Sequence, residues 1–318
     1  MSSLSHHAPR RASRHGFTLV EILVVVTIIA ILAGLVTPAV MTALWSANQS
    51  AIKVELSGLD AAIKAVKEKY GALPPMDLTS PMSNQPLRAF VAKAWPRYMQ
   101  ATSSDPNRLA TDLQAAGART GSGQTDPAQA LVFWLRGFSS DPENPFQGGG
   151  DRVPLFAFDQ SRLVPSAAYN DANGNGQRDN GENFVPQVYM PRKSANAPYM
   201  YFDSRSYAGT LSASGFTYDS STNGCTLGSS ASGQTEHGFA MPYSLDANKN
   251  GSLDTGETYA NADSFQIISA GQDGLYGALT AAQTNRLYPT TTGYDSAGAD
   301  NDNVTNFSPS NNLDADRP

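Results

Sequence analysis

The chain has a single cysteine, Cys225, in 318 residues. That excludes an intramolecular disulfide, so bracing beyond ordinary packing has to come from neighbouring subunits or metal ions. Charge is sparse at 16% of residues, and the basic sign is the scarcer, with 22 Lys and Arg against 28 Asp and Glu. Arg10, Arg11 and Arg14 crowd into the first sixteen positions, so the rest of the chain is more acidic still. No nucleic-acid partner is expected for such a body. Histidine is rare as well: of four, only His237 lies beyond residue 15. Set beside Glu236 in a Gly/Ser-rich stretch, it is expected to be a lone surface histidine. No G-x-S-x-G, H-E-x-x-H or phosphate-loop pattern occurs, and Cys225 has no partner nearby in sequence. An enzyme is therefore the least expected class.

What the chain does have is a long apolar run. From Phe17 to Val40 the only charge is Glu21, and Ile22–Val40 supplies 19 uncharged residues. At about 1.5 Å per residue a helix over that stretch nearly crosses a hydrocarbon core roughly 30 Å thick. The basic residues ahead of it predict an N-terminus kept in the cytoplasm and an exported remainder. An ordinary secretory signal would end in a small-residue cleavage site after the apolar run. Glu21 argues against that layout, because a carboxylate at the start of an apolar helix is costly in hydrocarbon and calls for a function.

The order Arg14-His15-Gly16-Phe17-Thr18-Leu19-Val20-Glu21, followed by Ile22-Leu23-Val24-Val25-Val26, resembles the cleavage and methylation motif of type IV prepilins. The resemblance implies a cut between Gly16 and Phe17 by a prepilin peptidase, with Phe17 becoming the methylated N-terminus and Glu21 serving assembly. It also implies a single-pass subunit in the bacterial inner membrane with a periplasmic or extracellular head. Its partners would be other pilin or pseudopilin subunits and the inner-membrane assembly platform. Elementary chemistry agrees: a new α-amino group at Phe17, one turn from Glu21, can neutralise that carboxylate within a subunit or between neighbours.

Beyond the apolar run, Ile52, Leu56, Leu59, Ile63, Val66 and Tyr70 recur at steps of four and three, which places them on one helical stripe. Gly71 and Pro74-Pro75 stop that helix. One helix over 17–70 would be about 80 Å long; Pro38 is the point at which it could instead divide in two. Residues 77–140 predict short helices around Leu87–Met99, Asn107–Ala116 and Pro127–Leu135, with Trp95, Phe133 and Trp134 as core. From Val153 onward the pattern turns to strands, at Leu155–Phe158, Phe184–Met190, Tyr199–Phe202 and Phe265–Ile268. Ser204–Gly238, mostly Ser, Gly and Thr, is expected to be a long exposed loop. The expected organisation is a leader (1–16), a spine helix (17–70) with its membrane half at 17–40, a helical insertion (71–150) and a β-rich head (151–318). The fold class is α+β, a long membrane-spanning helix packed on an antiparallel sheet.

Two segments share the layout D-x-[DN]-x-[DN]-G-x5-E. The first offers Asp171, Asn173, Asn175, Gln177, Asp179 and Glu182, the second Asp246, Asn248, Asn250, Ser252, Asp254 and Glu257. Alternating oxygens wrap a hard cation, the glycine permits the sharp turn, the seventh position offers its carbonyl, and the glutamate closes the shell with two oxygens. Calcium is the expected cofactor. Strand-like flanks make these calcium-stabilised connections and not a helix-loop-helix sensor pair. Ser264–Gly274 together with Gly298–Asn306 is similar to the C-terminal region of the major pseudopilin of type II secretion, whose calcium loop would make Asp300 and Asp302 ligands. The expected function is thus a filament subunit of that secretion system. The alternative is a membrane-anchored, calcium-dependent adhesion or binding module.

Overall fold

The computed structural model describes residues 18–105, 107–118, 126–146, 152–165, 186–192, 197–207, 215–220, 223–227, 236–277, 286–289 and 300–316. Gly16, Phe17 and the first calcium motif, from Asp171 to Glu182, lie outside those residues. The chain divides into two compact units, 1–47 and 48–318.

One helix, α1 (Leu19–Tyr70), carries Pro38 inside it, so the chain does not divide there into two helices. In the first unit every described side chain is exposed, and α1 is long and apolar enough to cross a membrane. Its hydroxyls are satisfied locally: Thr27 and Thr37 each donate to the carbonyl four residues back, at 2.7 Å. That arrangement lets a polar side chain sit in an apolar span. In the second unit α1 buries Ile52, Leu56, Leu59, Ile63 and Val66, the expected stripe, with Tyr70 partly buried against the same core. Gly71, at φ +76°, turns the chain out of the helix.

Short α-helices follow among the described residues: α2 (Gln85–Ala94), α3 (Pro96–Ala101), α4 (Arg108–Ala115) and α5 (Pro127–Leu135). Every residue of α5 is buried, as suits a helix apolar all round. Its start is fixed by Asp126, whose Oδ1 accepts from the amides of Ala128 and Gln129 while Oδ2 accepts from the Cys225 amide at 2.7 Å. Trp95, Phe133 and Trp134 are core, meeting Phe90, Phe138 and Phe146 largely edge to face. The Trp134 indole finds the Pro75 carbonyl at 2.7 Å, as a buried N–H must.

The strands are β1 (Leu163–Pro165), β2 (Gln187–Tyr189), β3 (Met200–Asp203), β4 (Phe216–Asp219), β5 (Gly224–Leu227), β6 (Tyr243–Leu245), β7 (Phe265–Ser269), β8 (Arg286–Tyr288) and β9 (Val304–Thr305). Among the described residues they form several small sheets. The three-stranded antiparallel sheet runs β3-β7-β9, β1-β2 and β4-β5 are antiparallel pairs, and β6-β8 pair in parallel. Strand β7 is buried along its whole length, and α5 packs against β2 and β3.

Two expectations are corrected here. Leu155–Phe158 is irregular backbone, not a strand; the Leu155 amide donates to the Leu135 carbonyl at 2.9 Å. Ser204–Gly238 is not simply an exposed loop: Tyr207, Phe216, Tyr218 and Cys225 within it are buried, and β4-β5 form a hairpin.

Candidate functional site

At the start of α1, Thr18 and Glu21 satisfy each other. The Thr18 amide and hydroxyl donate to Glu21 Oε2 at 2.8 and 2.9 Å, and the Glu21 amide donates back to Thr18 Oγ1 at 3.2 Å. This is a reciprocal cap: each side chain takes one of the amides that a helix start leaves unpaired. Glu21 thus has a local role besides any partner in a neighbouring subunit.

The second motif, Asp246–Glu257, closes on itself. Gly251, at φ +80°, makes the sharp turn that a side chain would resist. Its amide donates to Asp246 Oδ2 at 2.8 Å, and the amides of Asn250 and Ser252 reach Asn248 Oδ1 and Asn250 Oδ1 at 3.0 and 2.8 Å. Glu257 uses both oxygens, accepting from the Ala247 amide at 2.8 Å and the Asp254 amide at 2.9 Å. Asp254 Oδ2 receives the side-chain amides of both Asn248 and Asn250, at 2.7 and 2.6 Å. Neither Asp254 nor Glu257 has an ion-pair partner among the described residues. Among those residues no three His, Cys, Asp or Glu side chains converge as a ready-made metal group; the donor set of the loop is a mixture of carboxylates and amides.

A second oxygen-rich corner lies where the C-terminal segment meets α1. Asp302 Oδ2 accepts from the amides of Gln272 and Asp273, at 2.5 and 3.0 Å. Gly271, at φ +65°, leaves room for that carboxyl; a β-carbon there would stand 2.4 Å from Asp302 Cγ. Asp302 Oδ1 is buried and accepts no hydrogen bond. The Asp273 and Asp302 carboxyls face each other, and burial followed by their mutual interaction pushes Asp273 above the usual carboxylate range; burial does the same to Asp302. Asp300, expected as a ligand beside Asp302, has other company. Its fully buried carboxylate accepts from the Tyr243 hydroxyl at 2.6 Å and from Arg286 Nη1 at 3.0 Å. The partner of Asp302 that sequence reasoning did not single out is Asp273, 29 residues away in the chain. Its signal was the Gly271-Gln272-Asp273-Gly274 turn, since a carboxylate between glycines can approach another backbone closely.

His237 is not a surface residue. It is buried, with Nδ1 2.9 Å from the Gly274 carbonyl and its ring beside Tyr218. Cys225 is buried too, its Sγ 3.6 Å from Met200 Sδ.

Residues 11–37 match the model of the prokaryotic N-terminal methylation motif. That motif is the prepilin and pseudopilin signature. Its presence indicates a pilin-type structural protein, a class that is not usually enzymatic, and implies processing by a peptidase and assembly with other pilin subunits. An N-terminal apolar helix carrying a prepilin motif at its start fits a membrane-anchored subunit. A stretch of 85 residues is 32% identical to the tRNA modification GTPase MnmE of Chlamydia pneumoniae, covering 26% of this chain. The chain spans about a fifth of the length of that relative, 19%, and has no G-x-x-x-x-G-K-[ST] phosphate loop of its own. No solved structure matches the chain.

Proposed function

We propose that this pilin-like protein is a pseudopilin of a type II secretion system. It would sit as a single pass in the bacterial inner membrane, N-terminus cytoplasmic, until the assembly platform adds it to a filament. The observation that carries this reading is the methylation motif leading straight into a helix whose first 27 described side chains, Leu19 to Trp45, are all exposed. Such a surface needs lipid or neighbouring helices to cover it. Mass spectrometry of the mature protein should show a chain that begins at a methylated Phe17; one beginning at residue 1, or after residue 40, would overturn the reading.

The head is the part we assign to calcium. Three features support it: the Asp246–Glu257 loop, whose oxygens already fold inward; the same layout at Asp171–Glu182; and the Asp273–Asp302 pair, with a buried carboxylate oxygen that no hydrogen bond satisfies. The second loop and the Asp273–Asp302 corner gather hard oxygens, and the first loop repeats the second's layout in sequence; such donors suit a hard divalent ion. Melting curves of the full-length protein in detergent micelles test this. A ligand that binds only the folded state at a hundredfold excess over its Kd adds about 2.7 kcal/mol per site, so chelation should lower the midpoint visibly. Glu182→Ala and Glu257→Ala should each shrink that shift, since each deletes a closing ligand. An unchanged melting curve on chelation would remove calcium from the proposal.

A further inference from the structure

The corner built around Asp302 includes a residue from α1. Gln49 is 2% exposed. Its Nε2 donates to the Asp302 carbonyl at 3.0 Å, which holds the amide head against that residue. Its Oε1 accepts no hydrogen bond, and neither do Asp302 Oδ1, Asn301 Oδ1 and Asn303 Oδ1, all of them buried. Reversing the amide would not help, since Oε1 would then oppose the Asp302 carbonyl oxygen. The ammonium of Lys53, one turn further along α1, donates to the carbonyls of Thr305 and Ser308 at 2.8 and 2.6 Å. Buried acceptors without donors are expensive in a folded chain, and two of them on residues joined by one hydrogen bond, Gln49 and Asp302, point to a ligand that offers only positive charge.

We propose that Gln49 is a ligand of the divalent cation held by Asp273 and Asp302, its Oε1 joining their carboxylates, so that α1 itself closes the site. This rests on the calcium reading given above and adds to it that the cation ties the helix to the C-terminal segment. Gln49 and Asp302 lie 253 positions apart, so the ion would join the two ends of the folded head. The carboxylates supply charge, the neutral amide oxygen fills the shell without adding repulsion, and Gly271 keeps the space open.

Calcium titration of the full-length protein in detergent micelles tests it, in a Glu182→Ala, Glu257→Ala background that silences the two loops. Terbium luminescence provides a second readout. Gln49→Glu should bind about tenfold more tightly, because a third carboxylate replaces a neutral ligand, and Gln49→Met about tenfold more weakly. Asp302→Asn should abolish binding. Tightening by Gln49→Glu cannot arise from a misfolded chain, so that variant decides the matter even if Gln49→Met is unstable. If Asp302→Asn abolishes binding but both Gln49 variants bind as the background does, Gln49 is not a ligand and the cation reading stands. Equal weakening by Glu and Met would show that Gln49 acts only through its bond to the Asp302 carbonyl, which overturns the proposal. No binding in the background overturns the Gln49 proposal and removes the Asp273–Asp302 pair from the calcium reading.

Discussion

Glu21→Gln and Glu21→Val should both enter the membrane as readily as the unaltered protein and both fail to join filaments. Removing a carboxylate from the start of an apolar helix makes insertion easier, not harder, so any defect has to lie after insertion. The two substitutions separate the cap that the structure shows from the charge pairing that the prepilin resemblance implies. Glu21 accepts from Thr18 in a reciprocal cap, and glutamine at that position keeps the cap while losing the charge. Valine loses both. If the carboxylate pairs with the α-amino group of Phe17 in a neighbouring subunit, both variants leave an ammonium in an apolar setting without its counter-charge, and assembly fails in both. The measurement is the share of protein in sheared filaments against the membrane fraction, by immunoblot. Normal filaments from Glu21→Gln with none from Glu21→Val would show that helix capping is what matters and would sink the charge-pairing argument.

The parts of this architecture that follow local periodicity were legible in the sequence. The α1 stripe, the boundaries of α5 and strand β7 all come from spacing that a residue shares with its near neighbours. What escaped was non-local. Tyr218 and Cys225 are buried inside a stretch whose composition is that of a loop, because the β4-β5 hairpin takes its burial from elements elsewhere in the chain. His237 became buried for the same reason. The β6-β8 pair brings Tyr243 to Arg286 in parallel, a crossover that no pattern along the chain announces. At the oxygen-rich corner, Asp302 was expected from family resemblance, but its meeting with Asp273 and Gln49 depends on how the C-terminal segment crosses α1. Glu55 is the clearest case. It is a charge next to the buried stripe of α1, and its side chain is largely buried.

Replacing that residue should cost the head a large share of its stability. Glu55 Oε2 accepts from Arg162 Nη1 at 2.8 Å and from the Tyr199 hydroxyl at 2.9 Å, while Oε1 takes the Tyr189 hydroxyl at 2.9 Å and the second guanidinium nitrogen. The side chains of Arg162 and Glu55 are only 15% and 11% exposed. Glu55→Gln keeps the shape but leaves Arg162 largely buried without its main counter-charge, and breaking such a pair costs about 3 kcal/mol. Replacing both, as Glu55→Leu with Arg162→Met, should cost much less than the two single losses added together, since no uncompensated charge remains. The pH dependence gives an independent check. Burial works to raise the carboxyl of Glu55, but the bonds from Arg162, Tyr199 and Tyr189 outweigh it and hold the group below its usual value of 4.5. A carboxyl lowered on folding adds stability that is present above its unfolded value and is lost as the pH falls through the folded one. Thermal melts of the full-length protein in detergent micelles should therefore show the widest gap between Glu55→Gln and the unaltered protein at neutral pH, and a gap that closes as the pH falls below about 4.5. A gap of the same size at pH 7 and at pH 3 would mean that shape, and not the ionised carboxylate, holds α1 to the β1-β2 pair.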